Sequence, residues 1–281
     1  MQNINEYTKI LIIILLAIIL IILIIARDFI LKRINKNDLE IVKDIVIGRE
    51  EIQEDFLDSV ASPCGTLAVL ADGLGKNEAG RLSGIIAVKT IKNMFLEEGS
   101  REKIKYFFKK AFNKVNLEII KRVEKDKGGA SVLSVIVIDN FLYYASVGNV
   151  MLSVFRKDEL TKITEGHSIS EVAKNAYYEG KIGRQEALYA LKEKKLLHYI
   201  GEESFKDIEV YKKPIRLKKN DIIVLMTKGI YEGVRWIELE EILSKTKLTL
   251  EEKLDEIIEV AYNNNICNGS IILMRYLGNK K

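Results

Sequence analysis

Asp72 has the setting of a residue that does chemistry. It follows an apolar run, GTLAVLA at 65 to 71, and precedes Gly73-Leu74-Gly75. A carboxylate placed there projects from the end of a strand, and the glycines let backbone come close to a ligand. Two readings of Asp-Gly after a strand stay open, a tight turn and a ligand for a hard metal ion. Other reactive residue types are sparse. Cys64 and Cys267 stand far apart with no CxxC or Cys/His spacing, so neither a zinc site nor a disulfide framework is indicated. They read as small buried residues, and two unpaired thiols suit a reducing compartment. His167 and His198 have no Ser/Asp arrangement beside them that would make a nucleophile and base, and read as structural.

Holding that carboxylate in place requires elements on both sides of it. Ala79 to Leu96 has helical periodicity, and residues 101 to 124 repeat Ile104, Phe107, Phe108, Ala111, Val115, Leu117 and Ile120 at the spacing of a second amphipathic helix. From Ala130 the pattern changes to strands: SVLSVIVI, a turn at Asp139-Asn140, FLYYASV up to Gly148, MLSVFR, a turn at Lys157-Asp158 and ELTKIT, together an antiparallel meander. Residues 168 to 195 read as helix and loop. Ile208 to Leu217, Asp221 to Thr227 and Ser270 to Tyr276 read as three more strands, and Leu250 to Tyr262 as helix. Strand runs interrupted by helix pairs predict an α+β sandwich with helices outside the sheets. Apolar residues make up 48% and charged residues 30%, which excludes a disordered chain; the net charge of +4 gives no reason to invoke nucleic acid.

The N-terminus carries a different signal. ILIIILLAIILIILIIA, residues 10 to 26, contains no polar group and as a helix spans about 25 Å, near the hydrocarbon thickness of a bilayer. A cleaved signal peptide would be basic before the run and carry small residues at a cleavage site, and this segment shows neither. Arg27, Lys32, Arg33 and Lys36 follow it while only Lys9 precedes it, so the positive-inside rule places the C-terminal part in the cytoplasm of a single-pass protein of the cell membrane. The expected organisation is a short extracytoplasmic N-terminus at 1–9, a transmembrane helix at 10–26, a juxtamembrane linker at 27–45, one folded domain at 46–277 and a tail at 278–281.

The order of short motifs in the domain resembles the PP2C (PPM-type) family of metal-dependent serine/threonine phosphatases. Arg49 with Glu54-Asp55 is similar to the family's opening, LAVLADGLG at 67 to 75 to its strand and Asp-Gly-x-Gly turn, and Gly80 to Gly84 to its Gly-x-x-Ala-Ser helix start. Gly129-Ala130-Ser131-Val132 stands where a Gly-Thr-Thr strand begins, YYASVGNV at 143 to 150 resembles the strand ending in Gly-Asp-Ser, and TEGHS at 164 to 168 resembles Thr-x-Asp-His-Ser. LLHYIG at 196 to 201, KKNDIIVLMTKGIYEGV at 218 to 234 and CNGSIILMRY at 267 to 276 complete the series. The resemblance implies an α-β-β-α fold in which aspartates hold two Mg²⁺ or Mn²⁺ ions whose bridging hydroxide attacks phosphorus. It also implies an arginine that binds phosphate, here Arg49, with metal-binding positions retained at Asp55, Asp72 and Gly73.

The chain departs from that pattern at three positions. Lys228 stands where the Ser-Asp-Gly aspartate belongs, Cys267 where the Asp-Asn aspartate belongs, and Asn149 where the Gly-Asp-Ser aspartate belongs. Asp to Lys changes local charge by two units and puts an ammonium where a dication should lie, so an intact dinuclear centre is not expected; one Mg²⁺ or Mn²⁺, or none, is. The Lys228 ammonium is expected to stand in for the lost metal by pairing with Asp72. The functional expectation is a membrane-anchored pseudophosphatase that binds a protein or phosphoprotein partner in a regulatory role. Its alternatives are a phosphatase with a reduced metal site and a docking scaffold.

Overall fold

The computed structural model describes residues 6–34, 38–76, 78–123, 128–192, 195–203, 205, 207–264 and 267–278 and, within 6–34, the side chains of 9–26. Its elements run α1 (Glu6–Ile34), β1 (Leu39–Val46), β2 (Phe56–Ser62), β3 (Gly65–Gly75), α2 (Glu78–Glu98), α3 (Ile104–Arg122), β4 (Gly128–Ile138), β5 (Phe141–Val147), β6 (Val150–Arg156), β7 (Glu159–Lys162), α4 (Ile169–Tyr178), α5 (Arg184–Ala190), β8 (Glu209–Val210), β9 (Ile215–Arg216), β10 (Ile222–Thr227), α6 (Lys228–Gly233), α7 (Trp236–Ser244), α8 (Leu250–Asn263) and β11 (Gly269–Tyr276). Lys36, part of the basic flank, lies outside the described residues.

Two antiparallel sheets stack face to face. One has the strand order β1-β11-β10-β6-β7, the other β2-β3-β4-β5-β8, with β9 also pairing with β5. The layer between them is filled by Leu70, Leu133, Val135, Leu152, Ile223 and Ile272, among others. Outside the second sheet, α2 and α3 seal a layer built on Ile91, Phe95, Phe108 and Phe112. Outside the first, α7 and α8 do the same through Leu239, Leu243, Leu254 and Ile257. This is the α-β-β-α arrangement implied by the resemblance. It also explains why β4 and β10 are mostly apolar with no polar alternation, since helices cover one face and the other sheet covers the other.

Three expectations are corrected. The run from Ala130 is not a single meander: β4 and β5 lie in one sheet, β6 and β7 in the other, and the chain crosses between them at Gly148, whose φ of +89° suits glycine. Asp72-Gly73 is not a turn, because β3 continues through it to Gly75 in register with β4, Asp72 opposite Ser131 and Gly75 opposite Gly128. The expected linker at 27–45 ends early: Leu39–Val46 is an edge strand, paired along its whole length with β11. The strands β1 and β2 sit partly exposed with charges among their apolar residues, which hides their alternation in sequence, while the strand expected at Ile208 to Leu217 forms as two short pieces, β8 and β9.

Lys9–Ala26 within α1 is the one segment among the described residues long and apolar enough to cross a membrane, and none of it is buried against the domain.

Candidate functional site

Three segments meet at the end of β3 because glycines allow it. A Cβ on Gly73 would lie 2.1 Å from the Gly80 carbonyl oxygen and 2.7 Å from that of Glu54, and a Cβ on Gly80 would lie 2.4 Å from the Glu54 carboxylate. The Gly73 N–H donates to the Glu54 carbonyl (3.3 Å). The start of α2, the end of β3 and the segment before β2 are thereby drawn together, and the Glu54 side chain is directed beside Asp72.

Asp55 enters from the same segment but faces inward and is 2% exposed. Its Oδ2 accepts from the Thr227 hydroxyl (2.7 Å), which in turn accepts from the Ser270 N–H (2.8 Å), tying the segment to the ends of β10 and β11. Its Oδ1 is buried without a hydrogen-bond partner. Asn268 is similar: its Nδ2 donates to the Ile52 carbonyl (2.7 Å), while its Oδ1 is buried and unpartnered. Immediately after Thr227 comes Lys228.

On the opposite wall, Asn149 follows the Gly148 crossing. Its N–H donates to Ser131 Oγ (3.1 Å) and its carbonyl accepts from Tyr231 (3.4 Å). His167 holds the crossing from outside: its Nδ1 accepts from the Gly148 N–H (3.0 Å) and its own N–H donates to the Gly148 carbonyl (3.0 Å). Burial, then the neighbouring His198, lowers the His167 pKa, which keeps Nδ1 an acceptor. Its role is structural, as its sequence setting suggests.

These walls enclose a cleft of about 930 Å³. Asp72, Gly73, Asn149, Lys228 and Cys267 all line it, so five of the seven positions singled out in the sequence come together. Asp55 sits behind the wall. Arg49 is an exposed residue of the turn after β1 and is not among the residues that line the cleft, though its neighbour Glu50 is. Cys267 is exposed, not buried. Sequence reasoning passed over Glu50, Glu54, Lys195, Tyr199 and Asn268 as site residues, all of which line the cleft. For Glu54 and Asn268 the signal was present, since each adjoins a residue already singled out.

Like charges crowd here. Burial, then Glu50 and Asp55, pushes Glu54 up to about 7. Burial raises Asp55 to about 6 against the Thr227 hydrogen bond. Asp72 stands well above the usual carboxylate range because of burial and then Asp55, with Lys228 opposing. Burial also raises the Cys267 thiol, again with Lys228 opposing. The ammonium is therefore felt by Asp72, yet among the described residues no ion pair joins the two, which corrects the expected direct pairing.

The donor set can be tested against the metal chemistry that the fold implies. Glu54, Asp72 and the Gly73 carbonyl offer hard oxygens, and the orphaned Oδ1 of Asp55 shows a buried acceptor that lacks a positive partner. That suits one hard cation. A second ion would need carboxylates where Lys228, Cys267 and Asn149 stand, and among the described residues no three His, Cys, Asp or Glu side chains gather as a ligand cluster. The residues do not fit a pair.

No family model matches the chain. The serine/threonine phosphatase stp of Listeria innocua is 27% identical over 203 residues, covering 69% of this chain and 78% of that protein. A putative protein phosphatase 2C-type protein of Streptococcus pyogenes is 25% identical over 215 residues, covering 74% and 85%. The solved structure of the S. agalactiae serine/threonine phosphatase superposes with a TM-score of 0.76 at 20% identity, covering 84% of this chain and 99% of that one. The chain is similar in sequence to these PP2C-type phosphatases and shares the PP2C fold.

Proposed function

We propose that this chain is a membrane-anchored PP2C-like pseudophosphatase, facing the cytoplasm, whose cleft binds a phosphorylated protein without a dinuclear centre. The observation that carries the reading is Lys228 in the cleft wall, at the position the resemblance gives to a metal-binding aspartate and within the field of Asp72. At an effective dielectric of about 20, a unit of like charge at 4 Å costs about 4 kcal/mol, and a dication meets twice that beside an ammonium. The same ammonium, with Lys195 also lining the cleft, supplies positive charge for a phosphate. If a single Mg²⁺ or Mn²⁺ binds, Glu54, Asp72 and the Gly73 carbonyl would hold it, and it would act there as a Lewis acid towards phosphate oxygens.

A second reading, a phosphatase working with that reduced site, is favoured by the retained Glu54 and Asp72 and by the unpartnered Asp55 oxygen. Hydrolysis of a generic phosphomonoester with saturating Mn²⁺ separates the two. The pseudophosphatase reading expects silence in the wild type, turnover in Lys228→Asp/Cys267→Asp, and phosphopeptide binding by the wild type that weakens in Lys228→Ala. Wild-type turnover abolished by Asp72→Asn would establish the second reading instead.

The anchoring reading rests on the apolar segment at 10–26 and its basic C-terminal flank.

A further inference from the structure

Residues 212–219 read KKPIRLKK, with five cations and no acid. Lys212, Lys213, Arg216, Lys218 and Lys219 are all exposed. Lys212 lies 3.5 Å from Glu165; among the described residues no carboxylate pairs with the other four. Asp221, next along the chain, is buried and taken by Arg156 (2.5 Å) and by the Lys218 N–H (2.7 Å). Asp139, at the same end of the sandwich, is held by Arg101 (2.5 Å). Asp38, Glu40, Asp158 and Glu159 also lie at this end, Glu40 held by Arg275, with Lys157 adding a cation.

The place of this loop gives it meaning. The Asn220 N–H donates to the Tyr276 carbonyl (2.7 Å), Tyr276 pairs with Leu39, and the Leu277 N–H donates to the Asp38 carbonyl (2.7 Å). The basic loop therefore lies where the chain arrives from α1. From Ile34 to Leu39 the backbone reaches at most about 18 Å, and the helical residues after Ala26 add about 12 Å. The cleft lies at the opposite end, beyond Thr227 and Gly75, a strand length away.

We propose that this loop docks the domain onto an anionic bilayer surface, with Lys213, Arg216, Lys218 and Lys219 among the headgroups, so that the cleft is held pointing away from the membrane. The proposal rests on the reading that α1 spans the bilayer with the domain on the side of its basic flank. Charge complementarity and the short tether favour lipid over an acidic protein, because the tether confines this end near the anionic surface.

The test is amide hydrogen exchange of the full chain in nanodiscs of phosphatidylcholine, with or without about 30% phosphatidylserine. Exchange over 212–220 is expected to slow about tenfold in the anionic discs. The slowing is expected to vanish at about 0.5 M salt and in the variant K213E/R216E/K218E/K219E, with β3 and β4 unchanged throughout as a report of an intact fold. Equal exchange in both discs overturns the docking, as does protection that appears only when an acidic polypeptide is added. If the chain elutes apart from the discs, the anchoring reading fails. The same exchange is then read with liposomes of the two compositions, where equal protection overturns docking.

Discussion

Thr227 shows how much rests on a single hydroxyl. It donates to a carboxylate that is almost fully buried and accepts from Ser270 on the neighbouring strand. Thr227→Val keeps the shape and removes both bonds, depriving the buried Asp55 carboxylate of the hydroxyl that its Oδ2 accepts from. The expected cost is about 1–3 kcal/mol, read as a fall in melting temperature of roughly 2–4 °C per kcal/mol for a domain of this size. An unchanged melting temperature would contradict the account of Asp55 as a carboxylate held by that bond. The glycines give a sharper contrast. A methyl group on Gly73 meets backbone 2.1 Å away, so Gly73→Ala is expected to abolish folding. On Gly80 the obstacle is the Glu54 carboxylate, which can swing aside, so Gly80→Ala should fold yet weaken any Mn²⁺ binding; circular dichroism and calorimetry separate these outcomes.

At the scale of elements, Asp58 on β2 joins two layers. It accepts from Lys43 on β1 (2.7 Å) and from Lys92 on α2 (2.8 Å). Burial alone would raise its pKa, but these partners win and hold it at about 2, against 3.8 for an ordinary aspartate. A depressed carboxylate contributes stability that is fully present above the unfolded value and lost as pH falls through the folded one. The contribution should therefore fade between about pH 4 and pH 2. The group is partly solvated, so only about 1 kcal/mol is expected. Acid unfolding of Asp58→Asn should lack this part of the slope, and an identical acid transition would contradict it. Legibility in the sequence followed the same divide between local and tertiary causes. β4, β10, α3 and α8 were readable because their burial writes a clear apolar pattern. β1 is not legible as a strand because LEIVKDIV lies at a sheet edge with Lys43 and Asp44 exposed. The end of β3 reads like a turn in sequence because its glycines answer to Glu54 and Gly80, contacts that no local pattern records. Glu54 itself became a site residue only when α2 brought Gly80 against it. Arg49 fits a motif by type, and stands on an exposed turn.

The whole molecule combines an apolar N-terminal helix with a sandwich whose cleft and basic loop lie at opposite ends. Removal of residues 1–34 is expected to move the protein from the membrane to the soluble fraction with its domain folded; persistence in the membrane would show that the domain binds on its own. The central proposal concerns the cleft, where Lys228 is proposed to take the place of the charge that a second metal would supply. Its most direct test is calorimetric titration of Mn²⁺ into the full chain beside the Lys228→Asp/Cys267→Asp variant. The account predicts no more than one Mn²⁺ per wild-type chain and two per variant chain. Two ions bound by the wild type, or no gain in the variant, would contradict it.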